Sequence, residues 1–186
     1  MHQASDNKRS FLRFCMQTSI VAGSAFRPSF SFSFQDPQVG LLLEELAKKS
    51  AWDPERKTLS SSPIGLPRIN KARLVYLDFW ASWCTPCRQS FPFMNHLHDK
   101  YSHIGLLILA VSVDKDRMKF EDFLIQTPPR FAVLWDRDAL VTKLASPSAM
   151  PTSYIIKDLA IVGEHRGFNN SIATEAESKI QNALRL

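Results

Sequence analysis

Residues 74–87 read Leu74-Val75-Tyr76-Leu77-Asp78-Phe79-Trp80-Ala81-Ser82-Trp83-Cys84-Thr85-Pro86-Cys87, an apolar run that ends in a Cys-x-x-Cys pair. The first seven residues are apolar and β-prone except for Asp78. A strand apolar on both faces belongs in the middle of a covered sheet. Residues 81–85 make a tight connection. Pro86 then stands where a helix tolerates proline, because an N–H in the first turn has no intrahelical partner in any case. Phe91, Met94, Leu97 and Tyr101 recur at helical spacing across residues 88–101. Pro92 is expected to kink that helix, since it removes a donor and crowds the preceding turn.

The pair Cys84 and Cys87 therefore sits where a buried strand becomes a helix. Unpaired N–H groups and the helix dipole favour negative charge there. A thiolate is the form that attacks disulfides. Bringing a thiol from about 8.5 to about 7 takes roughly 2 kcal/mol, at about 1.36 kcal/mol per unit, which a helix terminus and one or two N–H···S contacts supply. Three-residue spacing across the first turn brings the second sulfur close enough to close a disulfide. Cys84, before the helix, is expected exposed at its tip and is the candidate nucleophile; Cys87, inside the first turn, is the candidate resolving thiol. Asp78 is the lone acid in an apolar strand. Desolvation raises such an acid's pKa and suits it to pass a proton to and from a neighbouring thiol.

Downstream, residues 106–113 read as a second buried strand, 118–126 as a helix closed by Pro128-Pro129, 131–135 as a strand and 139–145 as a short helix. Residues 152–156 and 161–165 flank Lys157-Asp158-Leu159-Ala160 as a hairpin, and 172–186 close the chain as a helix. The order β-α-β-α-β-α-β-β-α is that of an α/β fold with a central mixed β-sheet and helices on both faces.

Upstream, Lys8 and Arg9, a mildly apolar run over 14–26 and the small residues Ala22-Gly23-Ser24-Ala25 make an export signal, with cleavage expected before Phe26. Lys8-Arg9-Ser10-Phe11-Leu12-Arg13 resembles a twin-arginine motif with Lys in the first Arg position. The expected organisation is a signal at 1–25, a linker with a short helix at 26–63, and one domain at 64–186. Within the linker, 39–50 has amphipathic spacing, and 53–63 reads as loop. Of the three cysteines, Cys15 falls in the signal, which leaves Cys84 and Cys87 as a catalytic, metal-binding or inert pair. A net charge of +5, with acids and bases interleaved as in Asp114-Lys115-Asp116-Arg117, argues against a nucleic-acid partner. No run of eighteen apolar residues indicates a membrane span.

Leu77-Asp78-Phe79-Trp80-Ala81-Ser82-Trp83-Cys84-Thr85-Pro86-Cys87-Arg88, followed by Phe91-Pro92, resembles the active-site signature of the thioredoxin fold, most closely the exported TlpA/ResA/DsbE-type branch. The resemblance covers residue 64 onward and includes Met150-Pro151-Thr152, which matches the family's cis-proline loop. It implies a Cys84–Cys87 redox disulfide, with Trp83, Pro86, Met150 and Pro151 bordering the site and receiving a substrate strand. Ser90 stands where ResA-like members usually carry an acid, so the acid role falls to Asp78. The implied activity is thiol:disulfide oxidoreduction without cofactor or metal, in the periplasm or cell envelope. Its partners would be client proteins with disulfides and an upstream electron donor, and the chain a monomer. Two Cys ligands fall short of the four of a structural zinc site. A peroxiredoxin would lack the Trp-Cys-x-x-Cys pair. A copper-binding module, holding Cu(I) through Cys84, Cys87 or Met150, is the competing reading from another class.

Overall fold

The computed structural model describes residues 36–185. The expected export signal at 1–25, Cys15 and the residues up to 35 lie outside them. Strand β3, Leu74–Trp80, is buried at every position and lies inside a seven-stranded sheet. Its neighbours are β4, Leu106–Ser112, which runs parallel to it, and β6, Thr152–Lys157, which runs antiparallel. The sheet continues through β5, Ala132–Trp135, on one side and β7, Ala160–Arg166, on the other.

Alternation along β3 splits the core in two. Leu74, Tyr76 and Trp80 face a cluster built with helices α3, Thr85–Tyr101, α4, Arg117–Gln126, and α6, Asn170–Leu184. Val75, Leu77 and Phe79 face the other side, covered by α1, Pro37–Ala47, α2, Leu66–Asn70, and α5, Leu140–Ala145. Asp78 thus falls on the α3 face. The helix starts follow from their caps: Asp116 accepts from Met118 and Lys119 N–H, and Asn169 from Ile172 N–H. Gly105 turns the chain into β4 at φ 107°, and a Cβ there would meet Arg73 at 2.8 Å.

One sequence reading needs correction. Residues 53–63 are not all loop: β2, Thr58–Pro63, forms the sheet edge beside β1, Ser50–Asp53, and β1 pairs with β5 through Ala51 and Leu134. The sheet therefore draws on residues assigned to the linker. Edge strand β2 buries none of its residues, so Thr58-Leu59-Ser60-Ser61-Ser62-Pro63 carries no apolar alternation to betray it. The helix α3 includes Pro92 within its span. Pro92 lies on the exposed side of the helix, where solvent can satisfy the carbonyl that it leaves unpaired. Among the described residues, no helix is long and apolar enough to cross a membrane.

Candidate active site

β3 ends at Trp80, and the connection to α3 is short and pinned. Cys84 N–H donates to Ala81 O at 3.1 Å, and Val113 N–H donates to Trp80 O at 2.9 Å. Cys84 is the N-cap of α3 in extended backbone conformation, and its Sγ accepts from Cys87 N–H at 3.3 Å. The sulfur thus replaces the usual capping oxygen at a helix start. Cys84 and Cys87 are joined in a disulfide, with Cα atoms 5.3 Å apart.

The expected exposure of Cys84 is corrected here. Cys84 is 4% exposed and Cys87 is 0%, so the ranking holds but both sulfurs are covered. A cap residue turned back onto its own first turn is shielded by that turn. The exposed feature is Trp83, at 68%. Pro86 is half-buried beside it.

The Met150–Pro151 bond is cis. Phe79 pairs with Thr152 across the β3–β6 ladder, which brings the 149–151 loop to the end of the sheet that carries the cysteines. Met150 packs against the cluster that contains Cys84 and Cys87. The loop is fixed by Thr152 Oγ1 donating to Ala149 O at 2.8 Å and by Gly167 N–H donating to Pro151 O at 2.7 Å.

Asp78 alternates with Tyr76 and Trp80 along β3, so it lies on the face that packs against α3, and it is 1% exposed. Its Oδ2 has no hydrogen-bond partner. Desolvation pushes its carboxyl well above the usual carboxylate range. Ser90 is buried and donates from Oγ to Cys87 O at 2.9 Å, so it braces the first turn.

Sequence reasoning missed a second buried acid. Asp114 accepts from Ser82 N–H at 2.9 Å, Ser82 Oγ at 2.8 Å and Ser112 Oγ at 2.8 Å. Its carbonyl accepts from Trp135 Nε1 at 2.7 Å. Arg88 adds a bond to Ser82 O at 3.2 Å. Together these fix Ser82, two residues before Cys84. Asp114 follows an apolar strand as Asp78 interrupts one, which was the available signal, but its partner is 32 residues away.

Comparison with known proteins agrees with this geometry. A family profile described as thioredoxin-like matches residues 71–158. The thiol-disulfide oxidoreductase ResA of Bacillus thuringiensis subsp. konkukian is 34% identical over 98 residues, which are 52% of this chain and 57% of that protein. The chain thus spans little more than half the length of that curated relative. A crystal structure described as thiol:disulfide interchange protein DsbE from Chlorobium tepidum is 38% identical with a TM-score of 0.60, covering 63% of this chain and 84% of that one. StoA from Bacillus subtilis shares the fold, at 22% identity and a TM-score of 0.53 over 60% of this chain and 84% of that one.

Proposed function

This chain belongs to the TlpA/ResA/DsbE-like branch of the thioredoxin-fold family, and from that premise we propose that it is a thiol:disulfide oxidoreductase which reduces client-protein disulfides in the bacterial cell envelope. The observation that carries this reading is the Cys84–Cys87 disulfide at the start of α3, on the same core face as an unpaired buried acid, Asp78. In the reduced protein, the Cys84 thiolate attacks a client disulfide and one client sulfur leaves. Cys87 then gives its proton to Asp78, attacks Cys84, and releases the second client sulfur. Two electrons pass to the client, and the Cys84–Cys87 disulfide remains. A donor protein must then reduce it, because the direction of flow is set by potential and about 30 mV is already 1.4 kcal/mol.

Trp83 and the 149–151 loop receive the client. Trp83 offers a large exposed aromatic surface beside the sulfurs, and Met150 an adaptable thioether. The chain acts as a monomer, outside the cytoplasm, after export through the 1–25 signal; a fusion of residues 1–35 to a reporter active only outside the cytoplasm tests that export. The decisive experiment is disulfide reduction by the full reduced chain with insulin as substrate. Cys84→Ser should abolish it, and Cys87→Ser should accumulate mixed disulfides through Cys84. Faster alkylation of Cys87 than of Cys84 at neutral pH would reverse the two roles. Absence of any exchange by the unaltered chain would sink the reading.

A further inference from the structure

Asp78 on β3 is opposed by Ser153 on β6, and Ser153 is opposed by His165 on β7. Both pairings are antiparallel and direct, so the three side chains share one sheet face, with adjacent Cβ atoms about 4.5–5.5 Å apart. All three are buried, at 1%, 4% and 5% exposure. The two outer members hold unpartnered atoms: Oδ2 of Asp78 and both ring nitrogens of His165. A buried imidazole with neither nitrogen bonded is costly and calls for an explanation. The far end of the row meets solvent. His165 Nε2 lies 3.6 Å from Oε1 of Glu175 on α6, a side chain that is 56% exposed. That separation is too long for a hydrogen bond but is closed by a small side-chain movement.

We infer that Ser153 and His165 form the proton route between Asp78 and solvent, with His165 a positioning residue that acts through Asp78. The inference rests on the disulfide-exchange reading above. During resolution, the proton of Cys87 goes to the Asp78 carboxylate. The Cys87 sulfur attacks Cys84, the Cys84–client bond breaks, and the client sulfur leaves with its electron pair. Asp78 then passes its proton to Ser153 Oγ while Ser153 passes its hydroxyl proton to the facing nitrogen of His165. His165 releases a proton from its other nitrogen to Glu175 and so to solvent. The departing client thiolate takes one proton from solvent, so protons and electrons balance.

The surrounding charges fit an acceptor. Glu175 and Lys179 reach His165 from α6, Glu164 flanks it on β7, and Arg166 is occupied by Glu164. Burial first, and then the Lys179 charge, hold the imidazole below its ordinary range against the pull of Glu175 and Glu164, so it is neutral at pH 7. Tyr76 flanks Asp78 on β3, with its phenol raised by burial and by the Asp78 charge while Ser153 acts the other way.

The test is stopped-flow mixing of the full reduced chain with a fluorescent cystine peptide across pH, with formation and resolution of the mixed disulfide followed separately. His165→Gln should slow resolution about 10-fold, a share of the 10²–10⁴ that a general base supplies, and remove the inflection on the acid side of neutrality. The His165→Gln/Asp78→Asn double variant should resolve no more slowly than Asp78→Asn alone, because both act on one proton. Should His165→Gln not fold, Ser153→Ala interrupts the same row and should change the pH profile in the same way. Additive slowing, or an unchanged profile in a folded variant that still exchanges, overturns this inference alone. No exchange by the unaltered chain overturns both readings.

Discussion

Asp78 and Asp114 are both buried acids, at 1% and 2% exposure, on either side of the same strand-to-helix connection. Asp114 meets a backbone N–H and two hydroxyls through its carboxylate. Asp78 leaves Oδ2 without a donor. Burial alone therefore does not separate a structural carboxylate from a chemical one; the supply of donors does. A carboxylate saturated with donors holds its surroundings in place. One without donors has its pKa raised by desolvation and can take up and release a proton. The same end of the sheet carries a clamp and a proton-exchanging acid, built from the same residue type.

The contrast predicts opposite outcomes for the two acids. The largest effect belongs to Asp114→Ala, which strands Ser82 N–H and two buried hydroxyls. It should cost about 3 kcal/mol of stability, since each hydrogen bond to a charged group is worth about 1.5–3 kcal/mol and some donors will find water. Urea unfolding measures it, and a loss under about 1 kcal/mol would remove Asp114 as the clamp. Asp78→Asn keeps the shape and should lose no stability, yet it should slow mixed-disulfide resolution by about 100-fold, the low end of general acid–base effects. An unchanged pH–rate profile in that variant would leave Asp78 a structural acid.

Stability against pH gives the next effect. The Asp78 carboxyl is raised in the folded chain. Below about pH 4 it is protonated both folded and unfolded, and its contribution is complete. As pH rises, the unfolded chain ionises first, so the folded state holds the extra proton. Stability then falls by up to about 1.4 kcal/mol per pH unit until the folded carboxyl also titrates. Asp78→Asn removes this loss. Its advantage over the unaltered oxidised chain should grow as pH rises from about 4, read from urea midpoints at several pH values. An advantage that shrank with rising pH would mean that Asp78 is ionised in the folded state. The smallest effect is Ser82→Ala, which removes one of the three donors to Asp114 and should cost about 1 kcal/mol. A cost equal to that of Asp114→Ala would show that the clamp fails as a unit.

Strand β3, the start of α3 and the order of elements from β3 onward were legible in the chain because each is written in local patterning. A strand buried on both faces must be apolar throughout, and a helix with one buried face repeats apolar residues every three or four positions. Asp78 stood out for the same reason, as the exception in such a run. The polar edge strand β2 was invisible, since a strand with no buried residues leaves no periodic signature. The shielding of Cys84, the reach of Asp114 to Ser82 and the row from Asp78 through Ser153 to His165 were decided by folding. Each depends on which residues face one another across strands or turns far apart in the chain. Register of that kind is fixed by the packing of the whole sheet and its covering helices, and no local stretch of residues encodes it.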